Sequence, residues 1–269
     1  MLISKPKIIL LSYATKNFRF SQFVLAFSAR IFGASSFVLK TRKDLEKTDF
    51  YLKNKIILDE KIGGGFWLWK PYYINEMLHQ MKENEILLYV DAGIIIRRSI
   101  NKLILLVKRG SPIALFLNDV PQFKYTKRDV FISLQCDEDK YHTAPLIHAG
   151  IQLYRNCDIS RAFTKKILDL SCKDRLISDD ENMLGQPNLY GFEVHRHDQS
   201  IISLIALKNG LTLQLDPTQY RTSNQVFNIS NGYETPNYEL YSSCFFVHRL
   251  TNFRLLLLFK YLLPKSQRK

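Results

Sequence analysis

The chain alternates between short unbroken apolar runs and longer stretches with helical spacing. KIILLSY at Lys7–Tyr13 follows Pro6 and predicts a buried strand. Phe20, Phe23, Val24, Phe27 and Ile31 then recur at helical spacing across Phe18–Phe32, and Gly33 stands where a helix stop is expected. Ser36–Leu39 predicts a second strand and Asp44–Lys53 a short helix. Strand, helix, strand is the opening of a parallel sheet with crossover helices.

Beyond Gly63-Gly64-Gly65, Pro71 suits the first turn of a helix running through Ile74, Met77, Leu78 and Met81. EILLYV at Glu85–Val90 predicts a buried strand ending at Asp91-Ala92-Gly93. Further strands are predicted at Ile113–Leu117, Val130–Leu134, Leu146–Leu153 and Leu211–Leu215. Helices are predicted at Ile159–Leu170 and from Asp198 through Leu207, the second stopped by Asn209-Gly210. Lys173–Tyr190 is polar and irregular, and a long loop of that kind is often functional.

With 269 residues, one α/β domain carrying a C-terminal extension fits, and 46% hydrophobic with 23% charged residues is ordinary globular composition. Disorder, collagen and simple repeats are excluded. Cys136, Cys157, Cys172 and Cys244 are widely spaced, so a disulfide scaffold or zinc ribbon has no support and free thiols are expected. The net charge of +13 sits at the two ends. Residues 1–43 hold eight Lys/Arg and residues 249–269 hold six, with no acid in either. Such an excess attracts polyanions: nucleic acid, anionic lipid or phosphorylated substrates. No recognition helix or aromatic-laced sheet concentrates it, so nucleic acid is not the expected partner. Ile8–Leu11 is too short for a signal peptide, and Leu255–Phe259, bracketed by Arg254 and Lys260, is too short to span a bilayer. Leu250–Leu263 reads as an interfacial helix with basic anchors or as a final helix packed on the core.

Asp91 lies where an apolar strand ends, the edge at which parallel sheets face ligands. An Asp there holds a metal or a hydroxyl, or simply makes a turn. Gly93 would let a ligand approach the backbone. Both tryptophans, Trp67 and Trp69, stand with Lys70 at a helix start, where phosphate is favoured. The alternative there is two core anchors and a solvated lysine. His195-Arg196-His197-Asp198-Gln199-Ser200 precedes an apolar helix, with Asp198 as N-cap, His197 a possible metal ligand and Arg196 a phosphate binder. His148-Ala149-Gly150 lies on a strand, where a lone histidine is usually structural. No GxSxG, Walker A, GxGxxG or kinase signature is present.

Taken in order, SYATKNF, GGGFWLWKPYYINEML, EILLYVDAG, YTKRDVFISL, GFEVHRHDQSIISLIALKNG and DPTQY resemble a family of mostly bacterial, GT-A-like nucleotide-sugar glycosyltransferases of surface-polysaccharide synthesis. The resemblance covers roughly residues 7–221. It implies an α/β fold, a Rossmann-related mixed sheet flanked by helices, in a single domain over residues 1–248 with a basic amphipathic tail at 249–269. It further implies donor contacts at Tyr13, Thr15, Trp69, Lys70, Asp91, Gly93, His148, Gly150, Arg196 and Gln199. Asp91-Ala92-Gly93 occupies the place of the family's Asp-x-Asp motif, but the second Asp is missing. A divalent ion, manganese or magnesium, would be held by Asp91 with His197. If the reaction inverts, Asp198 and then Asp179 are the candidate bases beside Asp91; the Asp-Gln and His-Ala-Gly resemblances favour retention. The implied partners are a nucleotide-diphosphate sugar, a glycan or lipid-linked acceptor in lipopolysaccharide or capsule synthesis, and an anionic membrane surface. The implied place is cytoplasmic, peripheral at the inner face of the membrane. An inactive nucleotide-sugar or glycan-binding relative is the alternative. On the transferase reading, Asp91→Ala and Lys70→Ala each abolish transfer while the fold survives.

Overall fold

A computed structural model describes residues 7–173, 175–221 and 241–250. The first part of the chain forms β1 (Ile8–Ala14), α1 (Arg19–Phe32), β2 (Ser36–Thr41), α2 (Arg42–Leu45), α3 (Asp49–Lys53), α4 (Lys55–Leu58), α5 (Gly63–Phe66) and α6 (Trp69–Gln80). The middle forms β3 (Ile86–Val90), β4 (Ile94–Ile96), α7 (Asn101–Arg109), β5 (Ile113–Pro121), α8 (Gln122–Tyr125), α9 (Arg128–Ser133) and α10 (Asp139–His142). It closes with β6 (Pro145–Arg155), α11 (Asp158–Ser171), α12 (His197–Lys208) and β7 (Phe245–Val247).

Five strands form one sheet in the order β2-β1-β3-β6-β5. β1 pairs in parallel with β2 and β3, whereas β6 runs antiparallel to both β3 and β5. The α/β class expected from the sequence, a mixed sheet flanked by helices, is the one observed. Period-2 alternation puts successive side chains on opposite faces. Ile9, Leu11, Leu87, Tyr89 and Leu115 join one core with α6, α9, α11 and α12. Ile8, Leu10, Leu88, Val90, Ala114 and Phe116 join a second core with α1 and α7. β4 and β7 make a separate antiparallel ribbon beside that second core.

Several expected elements differ. The predicted helix at Asp44–Lys53 is two short helices, because Thr41 and Thr48 each cap a new start with their hydroxyls. Val130–Leu134 is not a strand but lies in and just past α9, since a helical turn buries Val130, Phe131 and Leu134 together and packing overrides their β preference. Leu211–Leu215 meets β5 only at one bridge, Phe116 with Gln214. The helix at Phe18–Phe32 is present, yet Phe20, Phe23, Phe27 and Ile31, which announce it, face outward. The predicted basic tail at 249–269 lies outside the described residues from 251 onward. Among the described residues, no helix is long and apolar enough to cross a membrane.

Candidate functional site

The chain brings four sequence-distant segments together at the carboxyl ends of β1 and β3. Asp91 follows β3 directly, and its amide donates to the carbonyl of Gly150 at 2.9 Å. β6 bulges there: its pairing with β5 slips between Gln152 and Ile147, so His148-Ala149-Gly150 leaves the regular ladder. Bulges re-aim side chains next to functional sites. Gln199 secures the bulge by donating to the Ile147 carbonyl at 2.6 Å. Gly150 is required sterically, because a Cβ there would lie 2.7 Å from Asp91 Oδ2 and 3.2 Å from the His148 ring.

Lys70, on the first turn of α6, reaches into this junction and is only 3% exposed. Its Nζ lies 2.9 Å from Asp198 Oδ2 and 3.4 Å from Asp91 Oδ1. Tyr89 donates its hydroxyl to the same Asp91 oxygen at 2.5 Å. Burial alone would lower the Lys70 ammonium, but the two carboxylates outweigh it and hold its pKa above the ordinary value. Burial pushes the Asp198 carboxyl up, against the pull of Lys70. Burial and then Asp91 push the Tyr89 phenol far up, so it stays a donor. The result is one buried cation shared by two carboxylates, with Asp91 the more accessible of the pair at 34% side-chain exposure. A cavity of about 10 Å³, room for one water, lies against Lys70, Gln152 and Asp198. A larger one of about 220 Å³ opens beside β2, lined by Lys40, Asp44, Thr48, Tyr73 and Glu76.

α6 is aimed by an unusual lead-in. Gly63, Gly64, Gly65, Phe66 and Trp67 all have positive φ, so α5 is a left-handed turn. Three glycines make that turn cheap; Phe66 and Trp67 carry strain of order 1–3 kcal/mol each. Both rings stack on His197, at 5.0 and 5.3 Å between centroids, and His197 itself has φ of 49°. The strained turn and the start of α12 therefore brace each other, which fixes Lys70 against Asp198.

The structure corrects several expected roles. Asp198 is not an N-cap: α12 starts at His197, and the Asp198 carboxylate turns to Lys70. Lys70 is buried, so it does not present an open charge to a ligand. Tyr13 stacks on Trp69 at 4.0 Å, and both are at most 5% exposed, so their facing rings take up each other. Thr15 sits beside the left-handed turn, its methyl 3.5 Å from where a Gly64 Cβ would be. At Gly93 the close approach is made by the chain itself: its carbonyl accepts from the amides of His248 and Arg249 at 2.9 and 3.1 Å. His197 Nδ1 bonds the Ile177 carbonyl, and Nε2 faces Asp179 at 3.8 Å rather than Asp91. Asp179 stands on the loop before α12 with 38% side-chain exposure, outside the Lys70 junction.

Arg249 and Asp216 enter although the sequence did not single them out, beside Arg196 and His148, which it did. Arg249, expected in the tail, lies against the Asp91-Ala92-Gly93 turn, its Cα 3.2 Å from a Gly93 Cβ. Arg196 lies over the Tyr125 ring at 3.8 Å. Burial draws its guanidinium below the usual value, Tyr125 counters, and the like charge of Arg249 adds to the lowering. His148 is half-buried in this neighbourhood, with Nδ1 shielded and unpartnered, its pKa lowered by desolvation against the pull of Asp216 and Asp91. Asp216 comes from the DPTQY stretch, which the sequence marked only as the last of the stretches that carry the resemblance.

For a divalent ion the donor set fits poorly. Among the described residues, no three His, Cys, Asp or Glu side chains converge on one point. The Lys70 ammonium and Tyr89 hydroxyl already occupy Asp91 Oδ1, and the open nitrogen of His197, Nε2, faces Asp179 rather than Asp91.

No family model and no curated protein sequence matches the chain. Among solved structures, galactosyltransferase LgtC in complex with donor and acceptor sugar analogs is similar at 11% identity, over 97% of this chain and 99% of that one, with a TM-score of 0.48. Mouse xyloside xylosyltransferase 1 is similar at 12% identity, over 90% and 98%, with a TM-score of 0.47. A glycosyltransferase involved in glycosylating the major capsid of PBCV-1 is similar at 11% identity, over 90% and 94%, with a TM-score of 0.44.

Proposed function

We propose that this protein is a GT-A-like glycosyltransferase that moves a sugar from a nucleotide-diphosphate sugar to a glycan or lipid-linked acceptor. The observation that carries the reading is the junction at the carboxyl ends of β1 and β3. There an accessible Asp91 is held by a buried Lys70, beside a glycine-cleared bulge, with the backbone of Arg249 against Gly93 of the same turn. Asp91 receives donor-sugar hydroxyls on its free oxygen. Arg249 and Arg196, like charges held near one another, take the diphosphate and offset the charge that develops as it leaves. Lys70 is a positioning residue: it fixes Asp91 and Asp198 without touching substrate.

Asp198, buried against Lys70, is poorly placed to take a proton from an acceptor hydroxyl. The retaining route needs no protein base. The bond from the anomeric carbon to the diphosphate oxygen breaks with its electron pair on that oxygen. The acceptor oxygen bonds to the anomeric carbon on the same face, and its proton passes to the departing diphosphate. No step is assigned to a metal. We place the activity in surface-polysaccharide synthesis, lipopolysaccharide or capsule, at the cytoplasmic membrane face, on the motif resemblance and on the acid-free basic ends.

Thermal stabilisation by UDP, GDP, CDP and dTDP, each with and without manganese, tests the reading. A nucleotide at a hundredfold excess over Kd stabilises by about 2.7 kcal/mol. One nucleotide is expected to shift the wild type and not Arg249→Ala, and transfer is expected to be lost in Asp91→Asn. A shift that manganese greatly enlarges and Asp91→Asn abolishes restores the metal role of Asp91. Nucleotide binding with no turnover on any sugar favours the second reading, a binding relative, for which the missing second carboxylate and the closed Lys70 pair are the specific support.

A further inference from the structure

α1 carries apolar side chains on its outer face as well as its inner one. Its inward face mixes Val24, Leu25 and Ala29 with Ser21, Gln22 and Ser28: Gln22 donates to the carbonyls of Ser12 and Lys40, each at 3.0 Å, and Ser28 accepts from the Ile96 amide at 3.1 Å. Its outward face carries Phe20, Phe23, Phe27 and Ile31 at 41, 53, 61 and 54% exposure. At 100° per residue these four fall within about 80° of one another, a single stripe. Scattered exposed apolar residues need no explanation, but a contiguous stripe of three phenylalanines does.

The charge around the stripe points to its occupant. Lys16 and Arg30 are exposed beside it, and the Arg19 guanidinium lies over the Phe23 ring at 5.4 Å. α7 packs on the same core as α1 and presents Lys102 and Lys108 to solvent together with Leu105. No acidic residue occurs in 7–43, in 92–118 or in 241–250, and α1, β4, α7 and β7, which share the second core, come from these stretches. The described chain ends here too: the Leu250 carbonyl accepts from Ser21 on α1, and the next nineteen residues carry five Lys/Arg and no acid. A second copy of this face, or those residues, would bring more positive charge against it.

We infer that the outer face of α1, with the basic end of α7, docks on an anionic lipid bilayer: the phenylalanines enter the interface and the cations meet the headgroups. This deepens the membrane-face reading above and rests on it for its biological sense. The face lies on the α1–α7 side of the sheet, and α1 starts just after β1, whose carboxyl end borders the Asp91 site, so docking would bring that site near a lipid-linked acceptor.

The test is co-sedimentation of the full chain with phosphatidylcholine vesicles, with and without phosphatidylglycerol. Wild type is expected to bind the anionic vesicles at least tenfold better, less so at high salt. Phe23→Ser/Phe27→Ser, exposed positions whose loss leaves the core intact, is expected to lose at least tenfold of that binding. Its unchanged melting temperature and nucleotide-induced shift would show that fold and donor site persist. Equal vesicle binding by wild type and the double variant overturns the inference. So does a wild type that ignores anionic vesicles, or one that dimerises through this face in sedimentation velocity and is made monomeric by the double variant. Failure of nucleotide binding in the wild type would instead strike the transferase reading and leave this one standing.

Discussion

Replacing Lys70 by Met is the sharpest probe of the junction. At 2.9 and 3.4 Å, an effective dielectric of about 20 gives gross attractions of roughly 6 and 5 kcal/mol to Asp198 and Asp91. Most of this offsets the desolvation of the ions, so the net worth of the cluster is small. Removing one partner is different, because Asp198 is then a buried carboxylate at 8% exposure with no cation. That costs about 3–5 kcal/mol. Asp91 adds little, being accessible to water and still bonded by Tyr89. At about 2–4 °C per kcal/mol for a domain of this size, the midpoint falls by roughly 6–20 °C. Lys70→Met/Asp198→Asn removes the stranded charge as well and is expected to recover at least half the loss. Guanidinium unfolding followed by near-UV circular dichroism reads both. A single variant within 1 kcal/mol of wild type would refute the buried-pair argument, and with it the positioning role of Lys70. The same reasoning revises an expectation drawn from the sequence: Lys70→Ala is not a clean active-site knockout that leaves the fold untouched.

Three further outcomes are expected. Gly150→Ala, at ordinary φ, acts only through its Cβ, which meets Asp91 Oδ2 at 2.7 Å; transfer is expected to fall at least tenfold with about 1–2 kcal/mol of stability lost, and normal activity would show that the Asp91 carboxylate need not sit there. Gly65→Ala combines φ of 100° with a Cβ 2.6 Å from Leu58 Cα, whereas Gly64→Ala meets nothing closer than 3.5 Å, so urea midpoints should show about 2 kcal/mol or more lost at Gly65 and about 1 at Gly64. Burial lowers His148 and His195 and brings His248 to about 4, so the unfolded chain binds more protons than the folded one below its ordinary histidine pKa of about 6.5; stability should be level just above that pH and decline as pH falls toward 4, and a stability that rises on acidification in that window would contradict the neutral buried histidines.

Much of the fold was legible locally. β1 and β3 are nearly continuous apolar runs because both of their faces are buried, and that pattern needs no partner to be recognised. α9 was misread because four apolar residues and a serine, VFISL, look alike as a strand or as one buried helical turn. α7 and the β4–β7 ribbon were missed, the ribbon because it joins segments about 150 residues apart. At the site, Asp91, Lys70 and Asp198 were chosen from their positions at a strand end and helix starts, and His148 and Gly150 from the resemblance. Their relation to one another was not visible, since a lysine looks the same in sequence whether solvated or buried.

What the sequence determined by itself is therefore the set of elements and the chemistry at their ends. Period and punctuation are local properties, and three glycines in a row already demand an unusual backbone. Tertiary structure decided which groups meet. It buried Lys70 between two carboxylates, closed Tyr13 on Trp69, and brought Arg249 to the Asp91 turn from the far end of the chain. It also left the phenylalanine stripe of α1 outward, while Leu25 and Ala29 enter the core and Gln22 and Ser28 satisfy backbone groups on the inner side. Burial, pairing and exposure belong to the packed molecule, and no spacing along the chain encodes them.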